Sequence, residues 1–226
     1  MLRIVIPNGT LEQGTLRFLK EAGVIIPQRG RKMKVEVNHL LIKEVWFSRP
    51  QHIPQLVKPP YCDVGICGKD WVEEYNVRFR RPFHKELMSL PYGKRGSQGK
   101  TEVVLFCSKK TTNQDPRSVD IYRDLISEYP LLTKRFFWER YRMEVYPDIS
   151  WGTTESLVPE PYPWGICLTE TRKTLHENGL KEVATILKSY TMLFTHRIGN
   201  EPSKEQAIVE LIDLFKQLLM DVRKEG

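Results

Sequence analysis

The chain has 226 residues, enough for one large or two small domains around a buried core. Its 40% hydrophobic and 28% charged content is that of a globular protein, and no run approaches the roughly 18 apolar residues of a membrane span. A net charge of +7 points to an anionic partner; with no helix-turn-helix, zinc-finger or RNA-binding signature, phosphorylated small molecules are expected ahead of nucleic acid.

Leu2 to Ile6 reads as a strand, closed by the turn Pro7-Asn8-Gly9. That run is broken by Pro7 too early for a signal peptide, so a cytoplasmic location is expected. Thr10 is placed to N-cap a helix with the stripe Leu11, Leu16, Phe18, Leu19 and Ala22, ended by Gly23. Val35 to Val37 and Ile42 to Phe47 follow as strands, the second leading into Arg49-Pro50-Gln51. Tyr61 to Ile66 reads as a short buried strand that runs into Gly68-Lys69-Asp70 and a helix from Trp71. Strand ends that face glycine turns and helix N-termini are where open α/β sheets bind ligands.

Arg78 to Gly99, including Tyr92-Gly93-Lys94-Arg95-Gly96, reads as a basic connection with one short strand. Further strands are expected at Glu102 to Cys107, Asp124 to Ser127, Met143 to Tyr146 and Trp164 to Leu168, with a helix at Leu131 to Arg140. Trp151 and Trp164 are expected to pack around Pro159, Pro161 and Pro163. Val183 to Phe194 reads as extended. Lys204 to Arg223 reads as a helix with Ile208, Leu211, Ile212, Phe215, Leu219 and Val222 at helical spacing. This alternation predicts α/β layers with largely parallel sheets and no internal repeat. The thiols Cys62, Cys67, Cys107 and Cys167 form no Cys-x-x-Cys pair and the five histidines lack ligand spacing, so no metal site is expected from protein groups alone.

After the Trp164 to Leu168 strand comes Thr169-Glu170-Thr171-Arg172-Lys173-Thr174, whose hydroxyls and cations suit either a solvated loop or a phosphate cradle. Four blocks bear on the choice. They are Arg49-Pro50-Gln51-His52-Ile53-Pro54; Cys62-Asp63-Val64-Gly65-Ile66-Cys67-Gly68-Lys69-Asp70; Glu128-Tyr129-Pro130 with Leu132-Thr133-Lys134-Arg135-Phe136-Phe137; and Thr174-Leu175-His176-Glu177-Asn178-Gly179-Leu180. In this order they resemble the short form of ATP phosphoribosyltransferase, the first enzyme of histidine biosynthesis. The resemblance implies a two-lobed α/β fold, like a type II periplasmic binding protein, with a ligand cleft between the lobes. Residues 1–95 with 186–226 would form one lobe, and 96–185 the other, which carries the phosphate loop.

The implied reaction joins the phosphoribosyl group of PRPP to an adenine nitrogen of ATP, releasing pyrophosphate with Mg²⁺ present. By the same resemblance, Thr169, Thr171, Arg172, Lys173 and Thr174 fall at the PRPP phosphate, and Glu170 is the acid left for catalysis. Asn8, Thr10, Arg49, Gly68, Asp70, Gly152 and Thr153 fall at the nucleotide or cleft. A homodimer or larger assembly and a separate regulatory subunit are implied as well.

The sequence departs from the family at the chemistry. Arg172 stands where the family has glycine, and the strand before it lacks the family's two aspartates. The N-terminal Pro7-Asn8-Gly9-Thr10-Leu11 lacks two of the family's cations. Two further readings therefore stand beside a divergent transferase: a catalytically silent nucleotide- or anion-binding regulator on the same scaffold, or reuse of the cleft for an unrelated anion.

Overall fold

The computed structural model describes residues 1–28, 30–93, 101–199 and 201–224, with side chains as far as residue 220. Its strands are β1 (Leu2–Pro7), β2 (Lys34–Glu36), β3 (Ile42–Ser48), β4 (Val64–Gly68), β5 (His84–Ser89), β6 (Thr101–Ser108), β7 (Leu125–Ser127), β8 (Asp148–Ile149), β9 (Trp164–Thr169), β10 (Leu180–Ser189) and β11 (Thr191–His196). The helices are α1 (Glu12–Glu21), α2 (Ile53–Leu56), α3 (Lys69–Asn76), α4 (Pro130–Tyr141), α5 (Lys173–Glu177) and α6 (Pro202–Lys224). They divide into two units: Met1–Val72, Arg81–Gly99 and Tyr190–Gly226 in the first, Glu73–Arg80 and Lys100–Ser189 in the second. The expected boundary at 95/96, with the segment Lys94-Arg95-Gly96, lies outside the described residues.

The first unit is built on a sheet of order β2-β3-β1-β4-β11-β5. Leu2, Ile4 and Ile6 enter one core with Phe18 and Leu19 of α1 and Leu211 and Phe215 of α6, while Val5 enters a second core with Ile53, Val57 and Phe194. Both faces of β1 are covered, so apolar residues point to both sides and Arg3 is the one charged residue in the strand. Strand β1 runs parallel to β3 and β4, whereas the β2–β3, β4–β11 and β11–β5 pairs are antiparallel. The sheet is mixed rather than largely parallel; the few residues between β2 and β3 allow only a return in the opposite direction.

Two expectations about α1 and α6 resolve differently. Thr10 does not cap α1: Leu11 holds the N-cap position without a side-chain bond, and Glu12 instead reaches back to accept the Gly9 N–H at 3.2 Å. Ile208, Leu211 and Phe215 of α6 are buried, and Lys204 Nζ contacts the buried Asp63 Oδ1 at 2.8 Å. Asp63 Oδ2 also accepts the Arg3 N–H at 2.7 Å, so one carboxylate ties the start of β4 to β1 and α6.

The second unit has the order β10-β6-β9-β7-β8, with β6 antiparallel to β10 and β9, and β7 parallel to β9 and β8. Val104, Phe106, Ile126, Cys167, Leu175 and Leu180 form its core. Helix α4 begins at Pro130, and buried Glu74 accepts the N–H groups of Leu131 and Leu132 at 2.9 and 2.8 Å, which satisfies first-turn donors that have no partner within the helix. Burial raises the Glu74 carboxyl, and those two N–H groups oppose the rise.

The expected strand at Met143 to Tyr146 is an irregular connection; its Tyr146 N–H donates to Ile121, Val145 is buried, and the strand that pairs with β7 starts at Asp148. Val183 to Phe194 is extended but is divided at Tyr190. Strand β10 pairs with β6 as far as Ser189 opposite Thr101, and β11 pairs with β4 and β5. Residues 186–189 thus lie in the second unit. Trp164 is buried as expected, whereas Trp151 is 82% exposed rather than packed in.

A short repeat that the sequence reading missed joins the two units in kind. Gly65 on β4 pairs with Phe194, and Gly165 on β9 pairs with Phe106, each glycine seated against the ring. No helix among the described residues is long and apolar enough to cross a membrane.

Candidate active site

In each unit the expected site residues gather at the carboxyl ends of neighbouring parallel strands. In the first unit these strands are β3, β1 and β4, adjacent and parallel, so Asn8, Arg49 and the Gly68–Asp70 turn share one sheet edge. Such an edge is the usual ligand side of an α/β sheet. The Asn8 N–H donates to the Ser48 carbonyl at 2.9 Å, which fixes the turn after β1 against β3. Arg49 is exposed and in extended conformation, Thr10 is exposed in the turn beyond Asn8, and Asp70 is buried at 2% exposure. A Cβ on Gly68 would lie 2.2 Å from Asp70 Oδ1, so any side chain here would displace the carboxylate that folds back over the backbone.

Sequence spacing gave no sign of the group beside this turn. Lys69 Nζ lies 3.5 Å from the Tyr190 hydroxyl, which donates to both Glu86 oxygens at 2.9 and 2.8 Å, and the Lys69 N–H donates to the Tyr190 carbonyl. Burial, reinforced by Glu86, raises the Tyr190 phenol above its ordinary value. These residues come from three distant segments, and only the β4–β11–β5 ladder unites them.

In the second unit β9, β7 and β8 are the adjacent parallel strands, and their carboxyl ends carry Thr169–Thr174, Glu128 and the Ser150–Thr154 loop. Thr154 Oγ1 donates to Glu128 at 3.1 Å and lies 2.8 Å from Ser150 Oγ. Gly152 (φ 123°) and Thr153 (φ 53°) both have positive φ, and the Cβ direction of Gly152 is open. At Gly152 the loop thus presents backbone rather than bulk.

The turn after β9 is held by its own hydroxyls. Thr169 Oγ1 accepts the Arg172 N–H at 3.1 Å, and Thr171 Oγ1 accepts the Lys173 N–H at 3.4 Å. Leu175 anchors α5 in the core, while Thr171, Lys173 and Thr174 are exposed. Glu170 Oε1 is buried without a hydrogen-bond partner, a carboxylate oxygen left for a donor or cation from outside the chain.

Arg172 does not offer the phosphate-facing charge expected of it. It adopts φ 58°, and its guanidinium is committed to Glu182 through Nε and to Glu102 through Nη2. The hydrogen bond from Arg172 holds the Glu182 carboxyl below its usual range, and Glu182 in turn raises Arg172. An arginine placed between two carboxylates is already neutralised, so its contribution here lies in shape. Lys173 keeps its charge at the surface, 3.7 Å from Glu177.

Among the described residues no group of three or more His, Cys, Asp or Glu side chains could hold a metal ion. The four thiols are free and buried, and burial pushes Cys62 up to about 12, which leaves it protonated and inert.

Known proteins share this framework. The family model described as HisG, ATP phosphoribosyltransferase, matches residues 49–217. An ATP phosphoribosyltransferase of Geotalea uraniireducens is 31% identical over 228 residues, covering 97% of this chain and 73% of that protein. The one from Trichlorobacter lovleyi is 30% identical over 233 residues, covering 100% of this chain and 74% of that protein. The ATP phosphoribosyl transferase (HisG:HisZ) complex from Thermotoga maritima has a chain of like fold, with a TM-score of 0.77 at 20% identity, covering 98% of this chain and 100% of that one. The two α/β units have the fold that the resemblance implied, and with three-quarters of its length matched by the family model the chain belongs to the ATP phosphoribosyltransferase family.

Proposed function

We propose that the chain condenses PRPP with ATP, forming a bond from the ribose anomeric carbon to an adenine nitrogen as pyrophosphate departs. The observation that carries this reading is the Thr169–Thr174 turn: hydroxyls and a surface lysine at the end of a parallel strand, beside a buried carboxylate oxygen that lacks a partner. In this reading Thr171, Lys173 and Thr174 bind the phosphate of PRPP, Thr169 and Arg172 shape the turn, and Glu170 meets the ribose hydroxyls or the cation that travels with the substrate. A carboxylate at Glu170 offers acceptors and negative charge, which suits the positive charge that develops on the ribose as the pyrophosphate bond lengthens. Mg²⁺ bound to the pyrophosphate neutralises the leaving group when present; the orphaned Glu170 oxygen fits such a substrate-borne cation.

Asn8, Thr10, Arg49, Gly68 and Asp70 are proposed to serve the nucleotide at the first sheet edge, and Gly152 and Thr153 to serve it at the second. The proposed lobes are 1–95 with 186–226, and 96–185, except that β10 carries residues 186–189 into the second. A cytoplasmic homodimer or larger assembly is proposed, together with a regulatory subunit; the Thermotoga maritima relative is itself a two-component complex.

Pyrophosphate release measured with PRPP, Mg²⁺ and ATP, with and without a compatible regulatory subunit, tests the reading. Release that requires all three is the expected result. No release in any combination, together with a melting temperature that PRPP leaves unchanged, would refute it.

A further inference from the structure

We propose that Arg172 is a positioning residue: its fork to Glu102 and Glu182 locks the phosphate loop in its binding conformation, replacing the backbone freedom of a glycine. This rests on the phosphoribosyl-transfer reading above for the loop's ligand, but not for the lock itself.

The backbone at Arg172 has φ 58° and ψ 1°, a region that strains any residue with a Cβ. Such a conformation persists only where its surroundings impose it. The surroundings are visible on both sides of the residue. The Arg172 N–H is taken by Thr169 Oγ1 within the turn. Beyond the turn the guanidinium reaches Glu102 on β6 and Glu182 on β10. In the sheet order β10-β6-β9, the loop that grows from β9 is therefore tied to the adjacent strand β6 and to β10 beyond it. Glu182 is itself held by Thr185 Oγ1, which donates to it at 2.9 Å. Two donors diverging to two carboxylates need the planar fork of arginine; lysine offers a single point charge.

The electrostatics give the lock a second consequence. Glu102 and Glu182 carry two negative charges at the root of a loop that must receive an anion. With Arg172 between them the cluster keeps one net negative charge instead of two, and what attracts the phosphate is left to Thr171, Lys173 and Thr174. A direct phosphate role for the guanidinium and a locking role predict opposite outcomes when the carboxylates are neutralised. Freed from its partners, a phosphate-binding arginine would hold PRPP as tightly or more so. A lock deprived of its anchors would release the loop.

The decisive variant is Glu102→Gln/Glu182→Gln, which keeps side-chain shape and removes both charges. Hydrogen exchange of amides 170–176 in the ligand-free protein should accelerate about ten-fold, the scale of losing charge-assisted hydrogen bonds. The KM for PRPP should rise about ten-fold while kcat and the KM for ATP stay within about two-fold. Unchanged exchange, or PRPP affinity equal to or above that of the parent, overturns the lock. Should the double variant fail to fold by circular dichroism, Glu182→Gln alone carries the same test with the same two readouts. The exchange measurement needs no substrate: faster exchange beside an inactive parent protein would sink the transferase reading and leave the lock standing, whereas an active parent with unaltered exchange would do the reverse.

Discussion

Strands β4 and β9 begin alike and end differently. Val64-Gly65-Ile66-Cys67 and Trp164-Gly165-Ile166-Cys167 share Gly-Ile-Cys, and each glycine receives a phenylalanine ring from its antiparallel neighbour. A Cβ on Gly65 would sit 2.6 Å from Val57 Cγ2 and 2.8 Å from Phe194 Cζ; on Gly165 it would sit 2.4 Å from Phe106 Cζ. Past the cysteine the strands diverge. Strand β4 turns at Gly68 beneath the Asp70 carboxylate, a closure by fit. Strand β9 turns at Arg172, a closure by charge. The scaffolding half of the pattern is constrained by packing and is the same in both units, whereas the turn has two physical solutions.

The largest test of that equivalence is Gly65→Ala against Gly165→Ala. Each should cost about 3 kcal/mol, the upper range for overpacking a closed core, measured by urea denaturation. If either is accepted for less than about 0.5 kcal/mol, the two ring seats are not equivalent.

Acid should then separate the units. Burial lowers His84 of the first unit from 6.5 to about 4, with His196 adding to the shift, whereas His176 of the second unit is exposed. Because the unfolded chain takes up the proton first, the stability from a neutral His84 is complete above pH 6.5 and falls as pH drops toward 4. A loss of about 2 kcal/mol is expected by pH 5, and His84→Gln should abolish most of it. An equal loss at pH 5 in that variant would assign the effect elsewhere.

The smallest change is expected from Arg172→Gly. Relief of left-handed strain and loss of partly exposed ion pairs are each worth about 1 kcal/mol and oppose one another, so the melting midpoint should move by less than the equivalent of about 0.5 kcal/mol. A large destabilisation would mean that the charge closure supports the whole unit rather than the turn.

Much of this was legible in the sequence. The Leu2–Ile6, Ile42–Phe47 and Glu102–Cys107 strands, the α6 stripe and the four family blocks are local patterns, set by residue type and spacing. What escaped depends on partners far along the chain. Arg172 meets Glu102, 70 residues away, so a cation that looked available for phosphate is in fact paired. Lys69, Glu86 and Tyr190 converge only once β11 lies between β4 and β5. Thr10 has the right chemistry for a cap, but Glu12 makes the bond to Gly9 instead. The mixed sheets also follow from connections, which hydrophobic periodicity does not encode.

The position of β11 has a consequence for how the chain is made. Strand β5 lies at the sheet edge with β11 as its neighbour, and β4 needs β11 on its open side. A ribosome reaches β11 roughly 100 residues after it has finished β5, an interval of roughly 5 to 20 seconds. Through that interval β4 keeps a bare edge, open to wrong pairing, while the second unit receives the last of its own strands. The unit that starts first in translation is therefore the one that closes last, and its window for chaperone capture ends only when Thr191 to His196 emerges.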